Sequence, residues 1–176
     1  MRRSTFLKHI QNLEEDDLRS ELTLLYDKVK EVKQFYMMEI GSEQDRQKRY
    51  DKAKTEIIAK FKTKSYRRPR RPRIQKINKI ISELKQISVF NYEMIDVYLF
   101  CSETGLAFMK EYRFDSMPLN NLITKSFEKA LNLIAECKME NDYKERCVDI
   151  NLKSKRYYEI SDLMQASFDA VFDFAE

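Results

Sequence analysis

Ten Lys or Arg residues stand between Lys60 and Lys79 with no acid among them: Lys60, Lys62, Lys64, Arg67, Arg68, Arg70, Arg71, Arg73, Lys76 and Lys79. The chemistry such a run supports is recognition of negative charge. Guanidinium groups make planar, two-pronged contacts to phosphate or carboxylate, and ammonium groups add point charges. The whole chain carries a formal +4, so these ten charges leave everything outside the block at −6. A mildly acidic body is therefore interrupted by one concentrated positive stretch.

Pro69 and Pro72 lie three apart inside it. Proline lacks an amide hydrogen and clashes with the preceding turn, so the pair excludes a helix interior. Each also drives the residue before it, Arg68 or Arg71, toward extended geometry. The spacing predicts a short polyproline II segment, with both prolines along one edge and the arginines along the other two. Lys62, Lys64, Tyr66, Arg67, Arg68, Arg70, Arg71, Arg73 and Lys76 are the expected binding residues. The expected ligand is an acidic surface of a protein partner. The alternative is nucleic acid, with phosphates neutralised by Arg and Lys and with Phe61 and Tyr66 stacking on unpaired bases. Against both stands a plain structural reading: an inter-helix connection whose arginines pair with the body's own acids.

The other chemistry-bearing residues are sparse. His9 is the single histidine, and nothing near it in sequence forms a dyad. Cys101, Cys137 and Cys147 have no CxxC spacing and fall on apolar helix faces, where cysteine packs as a small hydrophobe. An odd cysteine count fits a reducing compartment. Glu14, Glu15, Asp16 and Asp17 run together, but acids at a helix start complement the positive end of its dipole. Met37-Met38 reads as a helix end packed on the core. Two glycines leave no phosphate-cradling loop, and one histidine leaves no HExxH zinc site and no paired ExxH motifs. No GxSxG elbow occurs. The sequence therefore points to no catalytic residues, no metal and no cofactor. No long apolar run marks a signal peptide or membrane span, which makes the cytoplasm the expected location.

The elements that must hold the basic stretch are helical. The chain has 176 residues, 43% hydrophobic and 35% charged, with only 2 Gly and 3 Pro. That composition suits long helices with short connections, in one domain over residues 1–176. Ser4 or Thr5 is placed to cap a first short helix carrying Phe6, Ile10 and Leu13. Leu18, Leu22, Leu25, Val29, Val32 and Tyr36 form the clearest amphipathic stripe, predicting one helix to about Glu39 that Gly41 ends in a left-handed cap. Ser42 with Asp45 resembles a capping box for a helix carrying Tyr50, Ala53, Ile57, Ile58 and Phe61. The basic connection spans about 62–73, and a new helix follows Pro72 with Ile74, Ile77, Ile81 and Leu84. Asn91 is expected to cap the most apolar helix, which holds Met94 to Tyr112 and Gly105. Pro118 opens the next, over Leu119 to Cys137. Two more are predicted, Glu140 to Leu152 and one from about Tyr157, whose final residues are expected to fray. The sum is seven to eight helices in antiparallel hairpins. They form either a compact bundle or a short stack like HEAT or armadillo repeats.

The stretch Leu22 to Tyr36, the Arg/Pro/Lys block, Phe127-Glu128-Lys129-Ala130-Leu131 and Glu145-Arg146-Cys147 together resemble a family of small bacterial proteins known as a domain of unknown function, numbered 6155. The resemblance covers nearly the whole chain. It implies an all-helical fold and carries no activity and no functional residues.

Overall fold

A computed structural model describes residues 1–172. Among the described residues there are nine helices and no strands, so the chain is all-α. They are α1 (Arg3–Gln11), α2 (Glu15–Lys28), α3 (Lys30–Ile40), α4 (Glu43–Phe61), α5 (Ile74–Ile87), α6 (Asn91–Tyr112), α7 (Met117–Cys137), α8 (Glu140–Ser154) and α9 (Tyr158–Phe172). The expectation of fraying concerns residues 173–176, which lie outside the described residues.

Three hairpins form the body: α4 with α5, α6 with α7, and α8 with α9. They lie side by side, so that α6 meets α4 and α8 while α7 meets α5 and α9. The α6–α7 pairing is the most extensive. This follows from sequence, because α6 is apolar around most of its circumference and needs cover on several sides. Ile95, Leu99 and Cys101 are fully buried there, facing Leu119, Ile123, Phe127 and Ile134 of α7 and their neighbours in one core. The Ser102 hydroxyl donates across the helix pair to the Ile123 carbonyl at 2.9 Å. A Cβ placed on Gly105 would stand 2.5 Å from Ile123 Cγ1, so Gly105 is the position that admits α7.

The ninth helix arises where one was expected to run unbroken. Val29 adopts an extended conformation (φ −110°, ψ 107°) and divides α2 from α3. The Val29 N–H still donates to the Leu25 carbonyl at 2.8 Å, so the break is confined to one residue. The predicted apolar stripe is only partly covered, and its middle is exposed. Leu22 is 48% and Leu25 40% exposed, and neither α1 nor α2 contributes a buried residue. In the body, α2 has only α3 as a substantial neighbour.

Helix ends confirm some expectations and correct others. Ser42 caps α4: its hydroxyl accepts the Asp45 N–H at 3.2 Å and donates to Asp45 Oδ2 at 2.7 Å, in place of the return bond to the Ser42 N–H that a full capping box makes. Pro118 sits at the start of α7, and Glu15, Asp16 and Asp17 occupy the first turn of α2. Ser4 and Thr5 lie inside α1 behind Arg2, and Asn91 is already helical behind Phe90, so none of these caps by its side chain. Gly41 is extended (φ −69°) rather than left-handed. Its lack of a side chain serves space instead, because a Cβ there would meet the Met37 carbonyl oxygen. The left-handed ends belong to Arg113 (φ 48°) after α6 and Lys138 (φ 57°) after α7.

Candidate anion-facing strap and a paired polar seam

Residues 62–73 leave the end of α4 and return to the start of α5 without helix, as the two prolines require. The base of this strap is closed by the Arg73 N–H, which donates to the Lys60 carbonyl at 3.2 Å. Across it, the Arg70 N–H donates to Thr63 Oγ1 at 2.9 Å, and the Arg68 N–H to Ser65 Oγ at 3.3 Å. Pro72 is buried and Pro69 half-buried, whereas Arg67, Arg68, Arg70, Arg71 and Arg73 are all exposed. The prolines thus turn inward and the arginines outward. Tyr66 lays its ring against Tyr112 of α6, with centroids 5.7 Å apart. Tyr112 packs in turn on Phe108, which touches Phe61.

Lys62, Lys64 and Lys76 are exposed as well, Lys76 in the first turn of α5. No carboxylate of the described residues forms an ion pair with Lys62, Lys64, Lys76 or any of the five arginines. Lys79 alone in the block has such a partner, Glu83 at 3.7 Å. One expected stacking residue is corrected: Phe61 is 5% exposed and belongs to the core, because it ends the apolar face of α4. Tyr66 is 70% exposed and keeps a free side.

Sequence reasoning missed a second cluster, where α4, α6 and α8 meet. Arg46 Nε donates to Glu93 Oε1 at 2.8 Å, and its guanidinium lies 4.9 Å from the Phe90 ring centroid. The Tyr50 hydroxyl donates to Glu93 Oε2 at 2.8 Å. Arg146 forms a two-pronged pair with Glu103 and donates from Nη1 to Asp96 Oδ1 at 2.5 Å. Lys54 also donates to Asp96. Burial alone would raise the Asp96 carboxyl. The hydrogen bonds from Lys54 and Arg146, with their charges, outweigh it and hold Asp96 below the usual aspartate value. The Glu103 hydrogen bonds raise Arg146 in the same way, against the opposing effect of burial. Burial pushes Tyr50 up. Each of these carboxylates is committed to a cation, so the seam clasps three helices together. The signal for it was present: Glu93, Asp96 and Glu103 repeat at three and seven residues along the otherwise most apolar helix.

His9 pairs with Glu21 at 3.2 Å between α1 and α2, both side chains about half exposed. Cys101 and Cys147 are buried, Cys137 is half-buried, and all three are free thiols. Among the described residues, no group of three His, Cys, Asp or Glu is disposed to hold a metal ion. None of the helices is long and apolar enough to cross a membrane.

Fold and site together define an all-helical protein of stacked hairpins that carries an outward-facing cationic strap and an internally neutralised seam. It belongs to the family of unknown function DUF6155, which matches residues 1–176. No curated protein and no solved structure matches the chain.

Proposed function

We propose that the protein is a non-enzymatic helical interaction module whose strap grips an acidic surface of a protein partner. The observation that carries this reading is the state of Arg67, Arg68, Arg70, Arg71 and Arg73. They are exposed, unpaired with any described carboxylate, and carried on a backbone fastened by Pro72, Thr63 and Tyr66. Arginines unpaired with any described carboxylate are available to carboxylates of another molecule. The side-by-side hairpins support the same reading, since they resemble the solenoid-like stacks that present extended faces to partners. Free thiols and the resemblance noted above fit a bacterial cytoplasm.

A nucleic-acid reading has one observation of its own, the open side of Tyr66, on which a base has room to stack. The net negative charge outside the block opposes a long polyanion lying across the body.

The test is affinity capture with the native protein and with a variant in which the five arginines become alanine. The reading requires a partner that survives nuclease treatment, is released by salt, and is lost with the variant. Titration against single- and double-stranded oligonucleotides runs in parallel. Capture that vanishes with nuclease, together with oligonucleotide binding that depends on the arginines, transfers the function to nucleic acid.

A further inference from the structure

We propose that the groove between α5 and α7 seats an extended acidic peptide segment of the partner. This rests on the reading that the partner is an acidic protein. It adds a second contact region, one outside the basic block.

The helices α5 and α7 touch only lightly, and the space between them holds two cavities of about 420 and 400 Å³. Both are lined by Lys85, Tyr98 and Lys129, so they adjoin along one groove between the helices. Lys125 adds a third cation to its wall. All three lysines are exposed, and none forms an ion pair with a described carboxylate. The single acid in the lining is Glu136, at the far end. The groove therefore offers positive charge along its middle that the described residues leave unneutralised.

Its other end lies at the start of α5. Ile74 lines it there and follows Arg73 directly in the chain. The lining runs from Ile74 to Lys85 on α5 and from Pro118 to Glu136 on α7. At about 1.5 Å per residue these edges are roughly 16 and 27 Å long. An extended chain at about 3.3 Å per residue fills them with roughly five to eight residues.

The chemistry of the walls favours peptide over nucleic acid. Asn78, Asn121 and Asn132 offer amide donors and acceptors that can pair with a peptide backbone, and the discrimination against bases comes from the lack of an open stacking face. The single aromatic residue of the groove is Tyr98. It is 4% exposed, and the Lys129 ammonium lies 5.7 Å from its ring centroid, so no face is open for a base to stack on.

The experiment is fluorescence anisotropy with the full-length protein and a labelled, end-blocked peptide of about eight residues rich in glutamate. The length is chosen to fill the groove. The variants are Lys85→Gln/Lys125→Gln/Lys129→Gln, the matching triple Lys→Arg, and the five-arginine alanine variant. The inference expects the glutamine variant to bind about tenfold or more weakly and the arginine variant to bind as the native protein does. Unchanged binding by the glutamine variant, with loss in the strap variant, overturns the groove and leaves the strap reading intact. No peptide binding by the native protein overturns the groove, and the capture experiment above still decides the strap. An oligothymidylate of equal charge that displaces the peptide equally well also overturns it, because the groove then selects charge and not peptide.

Discussion

Arg146 of α8 grips Glu103 of α6 with two parallel hydrogen bonds, Nε to Oε1 at 2.7 Å and Nη2 to Oε2 at 2.8 Å. The same guanidinium reaches Asp96, so one side chain neutralises two carboxylates on the central helix. Replacing Arg146 by alanine leaves both half-buried acids short of a partner. The expected loss is about 2 kcal/mol, below the roughly 3–5 kcal/mol of a fully buried pair because Arg146 and Glu103 are each 30% exposed. Arg146→Lys is expected to recover only part of it, since an ammonium cannot supply the parallel fork. Denaturant midpoints for the three proteins check this.

Asp96 sets a pH dependence with a definite sign. Its folded-state carboxyl titrates below the usual value, so the unfolded chain binds the proton more readily. The stability it contributes is full above the ordinary aspartate range near pH 4 and drains away as pH falls through the depressed folded value. Asp96→Asn is expected to flatten the acid limb of the stability curve, measured as midpoint against pH from 6 down to 2.

At Gly105 two effects oppose each other. Alanine improves helix propensity by about 1 kcal/mol. Its methyl group would also stand 2.5 Å from Cγ1 of the fully buried Ile123. Overpacking of this kind costs about 1–3 kcal/mol, so Gly105→Ala is expected to destabilise on balance. In an Ile123→Ala background the clash is gone and the same substitution should stabilise. A double-mutant cycle in denaturant reads the coupling, and additivity would refute the steric account.

Thiol chemistry separates the three cysteines. Burial pushes Cys101 and Cys147 up to about 12, so neither forms thiolate at neutral pH. Cys137, at the end of α7, is half exposed. An aromatic disulfide reagent at pH 8 is expected to label one thiol in the native protein and all three in guanidinium.

Lys138 closes α7 in the left-handed region (φ 57°, ψ 46°), where a Cβ is unfavourable. The Met139 N–H donates back to the Ile134 carbonyl at 3.0 Å, so the conformation is fixed by the cap. Lys138→Gly is expected to raise stability by about 1 kcal/mol, seen as a higher melting temperature with unchanged helicity.

Much of this architecture was legible in the chain. The all-round apolarity of Met94 to Tyr112 announced the central helix, Pro118 the start of its partner, and Ser42 with Asp45 a cap. Pro69 and Pro72 ruled out helix between Lys62 and Arg73. What escaped detection depends on where neighbours are. Periodicity shows that Leu18, Leu22 and Leu25 share a face, but not whether anything covers it, and here Leu22 and Leu25 are left exposed. The break at Val29 follows no proline or glycine. The seam joins Lys54, Asp96 and Arg146 across some forty to fifty residues at each step, a separation that no local pattern encodes. Gly41 matched a familiar role by residue type, yet its backbone is extended.

If the strap docks an acidic partner as proposed, the fastening of residues 62–73 bears on how quickly it arrives and how long it stays. The backbone there is tied at Lys60, Thr63, Ser65 and Tyr112, so docking would have less chain left to order, with about 0.5–1.5 kcal/mol for each side chain immobilised. Arrival is steered by the concentrated field and slows as salt is added. In that case departure would require several guanidinium contacts to break together, because the segment that carries them is tied at both ends. Dwell time, more than encounter rate, is then the quantity that changes at each arginine will tune.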